Sequence, residues 1–529
     1  MSSHALGLRG PADPALLERL AALRTELELP AAFPTPVLAE AEAAAHGVHV
    51  GLAGSPDHAD RTALPFVTVD PAGATDLDQA LLLTPSDDDG ILVRYAIADV
   101  PAFVTPGGAV DAEARRRGQT VYLPDGRVPL HPEVLSEDAA SLLPDRERPA
   151  FVWTFLLDAA GAVVETGLER ARVRSRAQLT YGQVQAFLDA RPGAQAPATP
   201  RPGVTDADRA AAEGWPAEVR DSLALLPEVG RRRAAQEAAR GGASLNLPDQ
   251  EVLVTEDGAH ELVHRAPLPA EEHNAQLSLL TGMAAAELML AAGVGILRTM
   301  PAPDADAVAA FRERTRALGV PWDEGQDYGA YLRSLDPADA RHLAVLHAAT
   351  GLFRGAGYTA FDAQAEDPAL RTPPAEPAQA ALAAPYAHAT APLRRLVDRF
   401  VLALCHAHAS GAPAPAWVRS ALPELPALMA DSSRRASAAS RTAADLVEAA
   451  ALESRVGAEL ESRVGAELEG IAVREAKDGT EVWLLDPAVS LRVPGSVPAG
   501  TRVRVRIEGV DRASGAITAA GVDWSHSSR

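Results

Sequence analysis

Two apolar runs, Phe66-Val67-Thr68-Val69 and Ala80-Leu81-Leu82-Leu83, flank a short loop that carries Asp70, Asp76 and Asp78. Short apolar runs bounded by Pro, Gly and Asp read as strands. The loop PAGAT behind the first of them bunches three carboxylates together. Like charges held that close repel unless something positive lies among them. In Asp76-Leu77-Asp78 both acids project from the same side of an extended backbone while Leu77 points away, and Asp70 closes the loop from its other end. Carboxylate oxygens are hard ligands that suit Mg²⁺ or Mn²⁺, ions that take their remaining ligands from water and phosphate. The residues alone leave a second reading open, that of a solvated acidic loop. Asp87-Asp88-Asp89-Gly90 fits that description better and reads as a hairpin tip.

The surroundings of the acid loop set the fold class. From about Leu64 to Ala171 the chain runs in short β-rich segments, PFVTVD, ALLLTP, ILVRYAIADV, FVWTFLLD and VVETGLERARVRS. Long helical patterns follow in DSLALLPEVGRRRAAQEAARGG, in HNAQLSLLTGMAAAELMLAAG, over 343–350 and over 392–408. The class is α+β, with a mixed sheet and helices. Ahead of this body, Asp13-Pro14 and Thr35-Pro36 each open a helix, the first ending at Pro30 and the second at Gly47. They read as a helical hairpin, either a helix-turn-helix-like module or a unit packed on the main body. Near the other end ESRVGAEL occurs twice in succession, a tandem duplication too short to be a solenoid repeat. Beyond it come about five alternating strands with Gly and Pro turns, a small β-barrel of OB type. In that barrel Val503, Val505, Ile507 and Val510 are the expected core, and Arg502, Arg504 and Arg506 alternate onto the outer face as an RNA platform. The expected domains are 1–60, 61–455, a helical linker at 456–467, and the barrel at 468–522.

The formal net charge of −22 weighs against binding nucleic acid over the whole surface. It does not weigh against a channel lined with arginine. Lys477 is the one lysine, so nearly all the positive charge is guanidinium, which forks onto phosphate. Cys405, the one cysteine, can form no internal disulfide, MSSHALGLRG lacks the apolar core of a signal peptide, and no apolar run is expected to span a bilayer. A cytoplasmic protein with no membrane association is expected, monomeric and with no evident protein partner. A second constellation narrows the chemistry. In PYAHATAPLRRLVDRFV, Thr390-Ala391-Pro392 stands just before a helix carrying Arg394, Arg395, Asp398 and Arg399. Paired arginines at a helix N-terminus hold phosphate, and an arginine near metals stabilises the charge that develops in phosphoryl transfer. Acids for a metal together with arginines for phosphate point to phosphodiester chemistry.

At these residues the chain resembles the ribonuclease II/R (RNB) family of processive 3′-to-5′ exoribonucleases. The family's Asp, six-residue advance and Asp-x-Asp-Asp is matched by Asp70 and Asp76-Leu77-Asp78. Ile97-Ala98-Asp99-Val100, ARRRGQTVYLPDGRVPLHPEVLSEDAASLLP, RAQLTYGQV and ATAPLRR match further blocks in order, over roughly 64–456, with an S1-type OB barrel after them. The resemblance implies hydrolysis of single-stranded RNA to nucleoside 5′-monophosphates, by a one-metal or two-metal mechanism. It implies that Asp70, Asp76 and Asp78 hold Mg²⁺, or Mn²⁺, and orient the attacking water, and that Arg394 and Arg395 contact the phosphate. Tyr122 would stack on the terminal base, and Tyr181 would position the last nucleotides and favour RNA.

The sequence departs from the family at several places. Gln79 stands where the family has its fourth aspartate and would be a weaker, neutral metal ligand. SLNLPDQE lacks the second stacking aromatic, LSLLTGMAAAE lacks the acidic pair of the family's E-E-x-M helix, and Ser440 replaces a glutamate found in some members. These changes keep an alternative in view, a catalytically weak RNA-binding protein that retains the RNB channel.

Overall fold

A computed structural model describes residues 8–9, 14–30, 32–52, 57–191, 201–243, 249–254, 260–337, 339–453, 465–476, 478–485, 489–522 and 524. Most of the tandem ESRVGAEL segment, and the leucines of SLNLPDQE, lie outside them. The body is built on a six-stranded sheet in the order Ala59–Asp60, Val163–Thr180, Phe66–Asp70, Gln79–Pro85, Ile91–Ala98, Glu147–Leu157. Val163–Thr180 is 18 residues long and serves two neighbours. It runs antiparallel to Glu147–Leu157, then parallel to Phe66–Asp70, so the sheet closes on itself. The two apolar runs around the acid loop thus become adjacent antiparallel strands, joined in register at Val67 and Leu81.

Both faces of this sheet are covered, which is why its strands read as continuous apolar runs. Val67, Val69, Leu81, Leu83, Val93, Tyr95 and Ile97 face one core with Phe151, Trp153 and Phe155, packed by the helices Pro269–Ala292 and Leu396–Ala409. Phe66, Ala80, Leu82, Ala96, Ala98 and Val152 face a second core with Phe103, Leu135 and Val37. Burying each large side chain contributes about 1.5–3 kcal/mol. The acid loop is anchored from below by this packing: Leu77 is fully buried, its N–H donates to Ser141 Oγ (3.0 Å), and its carbonyl accepts from Leu142. Asp88 and Asp89 take the positive φ of a tight hairpin tip (54° and 56°), as expected for the Asp-rich turn.

Four expectations change. Pro269–Ala292, 24 residues with a mean hydropathy of 1.4 in its most apolar window, is long and apolar enough to cross a bilayer by length and composition. Its composition reflects packing, since Leu277, Leu280, Ala285, Ala286 and Met289 are buried in the first core. The two N-terminal helices, Pro14–Glu26 and Thr35–Leu52, do not share one core as a hairpin would. Leu16, Leu20 and Leu23 join the barrel and the long helix Leu425–Glu453, whereas Val37 and Ala41 join the second core of the body. The second of these helices runs through Gly47 to Leu52. The helical run before residue 240 is two helices, Ala217–Leu223 and Leu226–Ala239, with Pro227 in the first turn of the latter, where a missing N–H costs nothing.

The C-terminal barrel has five antiparallel strands, ordered Ser490–Val493, Gly479–Leu484, Glu467–Ala476, Arg502–Asp511, Ala516–Val522. Along Arg502–Asp511, Val503, Val505 and Ile507 are buried and Arg502, Arg504 and Arg506 exposed, as the alternation predicts.

Candidate active site

The loop 70–78 meets the turn 390–395, more than three hundred residues away in sequence, at the edge of the sheet. Asp78 makes the junction. Its Oδ1 accepts the Leu393 N–H (2.8 Å) and its Oδ2 lies 3.4 Å from Arg394 Nε. The turn itself is fixed from the other side, where Thr120 N–H donates to the Arg394 carbonyl (2.9 Å) and Leu396 N–H to that of Gly118. Helix Pro269–Ala292 backs it: Ala387 N–H bonds the Gly282 carbonyl, and a side chain at Gly282 would run into the Tyr386 ring. Arg394, its guanidinium partly open to solvent, is held among acids, and Asp70, Asp76 and Asp78 all act within this one field.

Burial dominates the acids' protonation. Asp70 is pushed up to about 7 by desolvation, opposed by Arg394 and reinforced by Asp76. Asp78 is raised well above the carboxylate range for the same first reason. Asp76 is more open and already partnered, accepting Arg127 Nη1 at 2.8 Å and the Tyr122 hydroxyl at 3.2 Å. Arg127 also reaches Glu137 (2.5 Å) and Thr75 Oγ1 (2.6 Å), clamping the acid loop to the hairpin 121–128. Sequence reading missed Arg127. It lies two residues before a Pro-Leu-His-Pro segment with no pattern to mark it.

Among the described residues no three His, Cys, Asp or Glu side chains form a closed cage. The donor set nevertheless suits a hard cation. Asp70 Oδ2 is buried with no hydrogen-bond partner, and the fully buried Asp78 shares its field with Asp76. A buried carboxylate oxygen without a partner, in the field of a second carboxylate, is a donor that a hard cation can take.

The expected site residues divide. Asp70, Asp76, Asp78 and Arg394 come together. Tyr122 is beside them, with its hydroxyl on Asp76 and half its surface covered. Tyr181 begins the helix Tyr181–Asp189, is bonded by Asn274 Nδ2 (3.3 Å) and lies within the field of Asp70 and Arg394. Asn274, and Tyr95 discussed next, were not foreseen. Gln79 is not available as a metal ligand. Its Oε1 accepts from the Tyr95 hydroxyl and from Ser278 Oγ (3.1 Å), and its Nε2 donates to the Thr390 carbonyl (2.6 Å). Gln79 is therefore a brace between the acid strand and the arginine turn. Ser278 belongs to the helix Pro269–Ala292, so that helix is tied to the acid strand through a neutral hydrogen bond.

Arg395 is likewise a brace. It is bonded twice to Asp398 (3.0 and 2.8 Å), and Asp398, fully buried, also accepts the Ala391 N–H (2.7 Å). The helix starts only at Leu396, so the turn before it lies outside the helix: the N–H groups of Ala391 and Leu393 serve aspartates, and that of Leu396 serves the Gly118 carbonyl. Asp99 of the Ile-Ala-Asp-Val strand is structural too, with Arg170 on both oxygens (2.7 and 2.8 Å). In the barrel, Arg504 and Arg506 both pair with Glu467 (3.0 and 2.6 Å), leaving Arg502 the exposed member of the stripe without that tie.

The architecture is a mixed α+β body with acids and an arginine gathered at one sheet edge, followed by a small antiparallel barrel. The chain belongs to the RNB family: the RNB domain matches residues 59–411, and the RNase II-type exonuclease C-terminal S1 domain matches 466–522. Exoribonuclease 2 of Serratia proteamaculans is 37% identical over 139 residues, a stretch covering 26% of this chain and 22% of that protein. The fold is that of Mycoplasma genitalium RNase R in complex with ribose methylated single-stranded RNA, with a TM-score of 0.78 over 96% of this chain and 78% of that one at 17% identity. Yeast Ssd1, a pseudonuclease, shares the fold at a TM-score of 0.62 and 16% identity, over 85% and 53% of the two chains. Fold is thus common to active and inactive relatives, and the side chains at the site must decide between them.

Proposed function

We propose that this protein is a metal-dependent 3′-to-5′ exoribonuclease that hydrolyses single-stranded RNA to nucleoside 5′-monophosphates, with Mg²⁺ or Mn²⁺ as its ion. One observation carries the reading: the buried Asp70 and Asp78, one with an orphaned oxygen, face Arg394 across the junction of two distant segments. Direction and product follow from family membership.

Asp70, Asp76 and Asp78 would hold the ion. When bound, a divalent cation neutralises phosphate oxygens and lowers the pKa of an attacking water. The protein's own groups do the rest. Arg394 offers its fork to the non-bridging oxygens of the scissile phosphate, where charge builds in the transition state. Because Asp78 and Thr120 hold its position, it reorganises little when that charge appears. Tyr122, tethered through its hydroxyl, keeps its ring in one orientation for the terminal base, and stacking on a ring grips any base. Tyr181, in the field of Asp70 and bonded by Asn274, would position the last ribose. Gln79 in place of an aspartate, and a helix Pro269–Ala292 without the family's acidic pair, support the second reading, slow turnover on a retained RNA channel.

A time course on 5′-labelled single-stranded RNA with Mg²⁺, Mn²⁺ or EDTA separates the two. The exoribonuclease shortens the RNA stepwise from its 3′ end in one of the metals, releases 5′-monophosphates and stops in EDTA. Tight RNA binding with no shortening in either metal would favour the binding protein.

A further inference from the structure

The turn expected to present two arginines to phosphate presents one, because Arg395 is committed to Asp398. Another guanidinium lies in the same neighbourhood, supplied by a different element. Arg298 is in strand Val294–Thr299, directly opposite Tyr358, and its N–H donates to the Tyr386 carbonyl (2.8 Å), tying that strand to the segment leading into the arginine turn. Its guanidinium sits 4.7 Å from the centre of the Tyr358 ring. The Tyr358 hydroxyl is 2.7 Å from His388 Nδ1, and the Tyr386 ring meets His388 edge-on at 5.6 Å. Tyr358, Tyr386 and His388 feel Arg298 and Arg395 together, and for the last two also Arg394. The histidine is buried and held neutral by desolvation, so the positive charge of the cluster is carried by its arginines.

The arginines around the site have acid partners: Arg127 has Asp76 and Glu137, Arg170 has Asp99, Arg395 has Asp398, Arg399 has Asp111, and Arg394 has Asp78. Among the described residues Arg298 has no carboxylate partner, and its side chain makes no hydrogen bond. It is only half-buried, laid against an aromatic ring that fixes its plane while its fork of donors stays open. A pre-oriented, unspent guanidinium that acts with Arg394 on the same Tyr386 and His388 matches the bidentate geometry of a phosphate.

We propose that Arg298 binds a backbone phosphate of the RNA chain next to the one held by Arg394, and so supplies the second phosphate-binding arginine of this site. The proposal rests on the RNA-processing reading above, and a binding experiment keeps the two apart.

The test is equilibrium binding of a fluorescent single-stranded RNA to the full chain in EDTA, over a series of KCl concentrations, for wild type, Arg298→Lys, Arg298→Gln and Arg298→Ala. Each phosphate neutralised on a single strand contributes about 0.7 to the slope of log K against log salt. The slope is expected to become shallower by about 0.7 in the Ala and Gln variants and to be kept by Lys. Parallel lines for all four proteins would overturn the proposal, as would an affinity loss with an unchanged slope, the mark of Arg298 as a mere prop for Tyr358. Should the Ala variant melt early, the Gln variant, which keeps the aliphatic stem without the charge, carries the test. A wild type that does not bind RNA would instead remove the parent reading.

Discussion

Arg394 and Arg504 are the same side chain in opposite settings. Arg394 is wedged among Asp70, Asp76, Asp78 and Tyr122, where low dielectric makes each charge count, and its backbone is pinned by Thr120. Arg504 is 53% exposed on the barrel, sharing Glu467 with Arg506. Water and salt screen such a pair, which contributes little to stability and is free to exchange its partner for phosphate. The contrast teaches that an arginine's role here follows from how its carboxylates are held. Fixed, buried acids make a catalytic field, and a single exposed glutamate makes an interchangeable contact.

The comparison can be pressed at several points, beginning where the largest effect is expected. Asp398→Ala would strand the half-buried Arg395 and the Ala391 N–H, costing about 3 kcal/mol in chemical denaturation. If Arg395 is a brace, Arg395→Met combined with Asp398→Leu recovers much of that stability. If Arg395 were a phosphate ligand, its removal would cut activity with little loss of stability.

A second test concerns acid. His131, buried behind the arginine turn and bonded to the Pro392 carbonyl, is lowered to about 3, chiefly by desolvation, and His388 is depressed for the same first reason. An unfolded histidine titrates near 6.5. Between those values the unfolded chain binds a proton that the native chain refuses, so this stability is full above about pH 6.5 and is lost as pH falls towards 3. Urea midpoints measured across that range should decline with acid, and His131→Gln should flatten the decline. An unchanged profile would mean that the histidine is not buried neutral.

The smallest effect belongs to the barrel. Glu467→Ala removes the acid that Arg504 and Arg506 share, and RNA affinity at low salt should rise a few-fold with the melting temperature nearly unchanged. A fall in affinity would show that the stripe is not a phosphate-facing surface.

Much of this was legible in the sequence, and the unread part has a common cause. Strands flanking the acid loop, the buried Leu77 and the barrel's alternation follow from periodicity, which reports burial directly. The meeting of Asp78 with Arg394 followed from chemistry, since each residue type needs the other. What could not be read was commitment. Arg394 and Arg395 are adjacent and identical in type, yet one faces three acids of the loop and the other is spent on Asp398, three residues along its own helix. Gln79 read as a weakened ligand because its partners, Tyr95, Ser278 and Thr390, are scattered over the chain. The helical hairpin failed for a similar reason: amphipathic spacing marks an apolar face without naming what covers it.

The most direct test of the central claim is a comparison of wild type with Asp78→Asn, measuring RNA affinity and single-turnover cleavage on the same preparations. The substitution keeps the side chain's shape and an acceptor for the Leu393 N–H while removing the charge shared with Arg394 and the ion. The account predicts RNA binding within a few-fold of wild type and a cleavage rate lower by about 10²–10³-fold or more. An Asp78→Asn protein that trims RNA at close to the wild-type rate would contradict it.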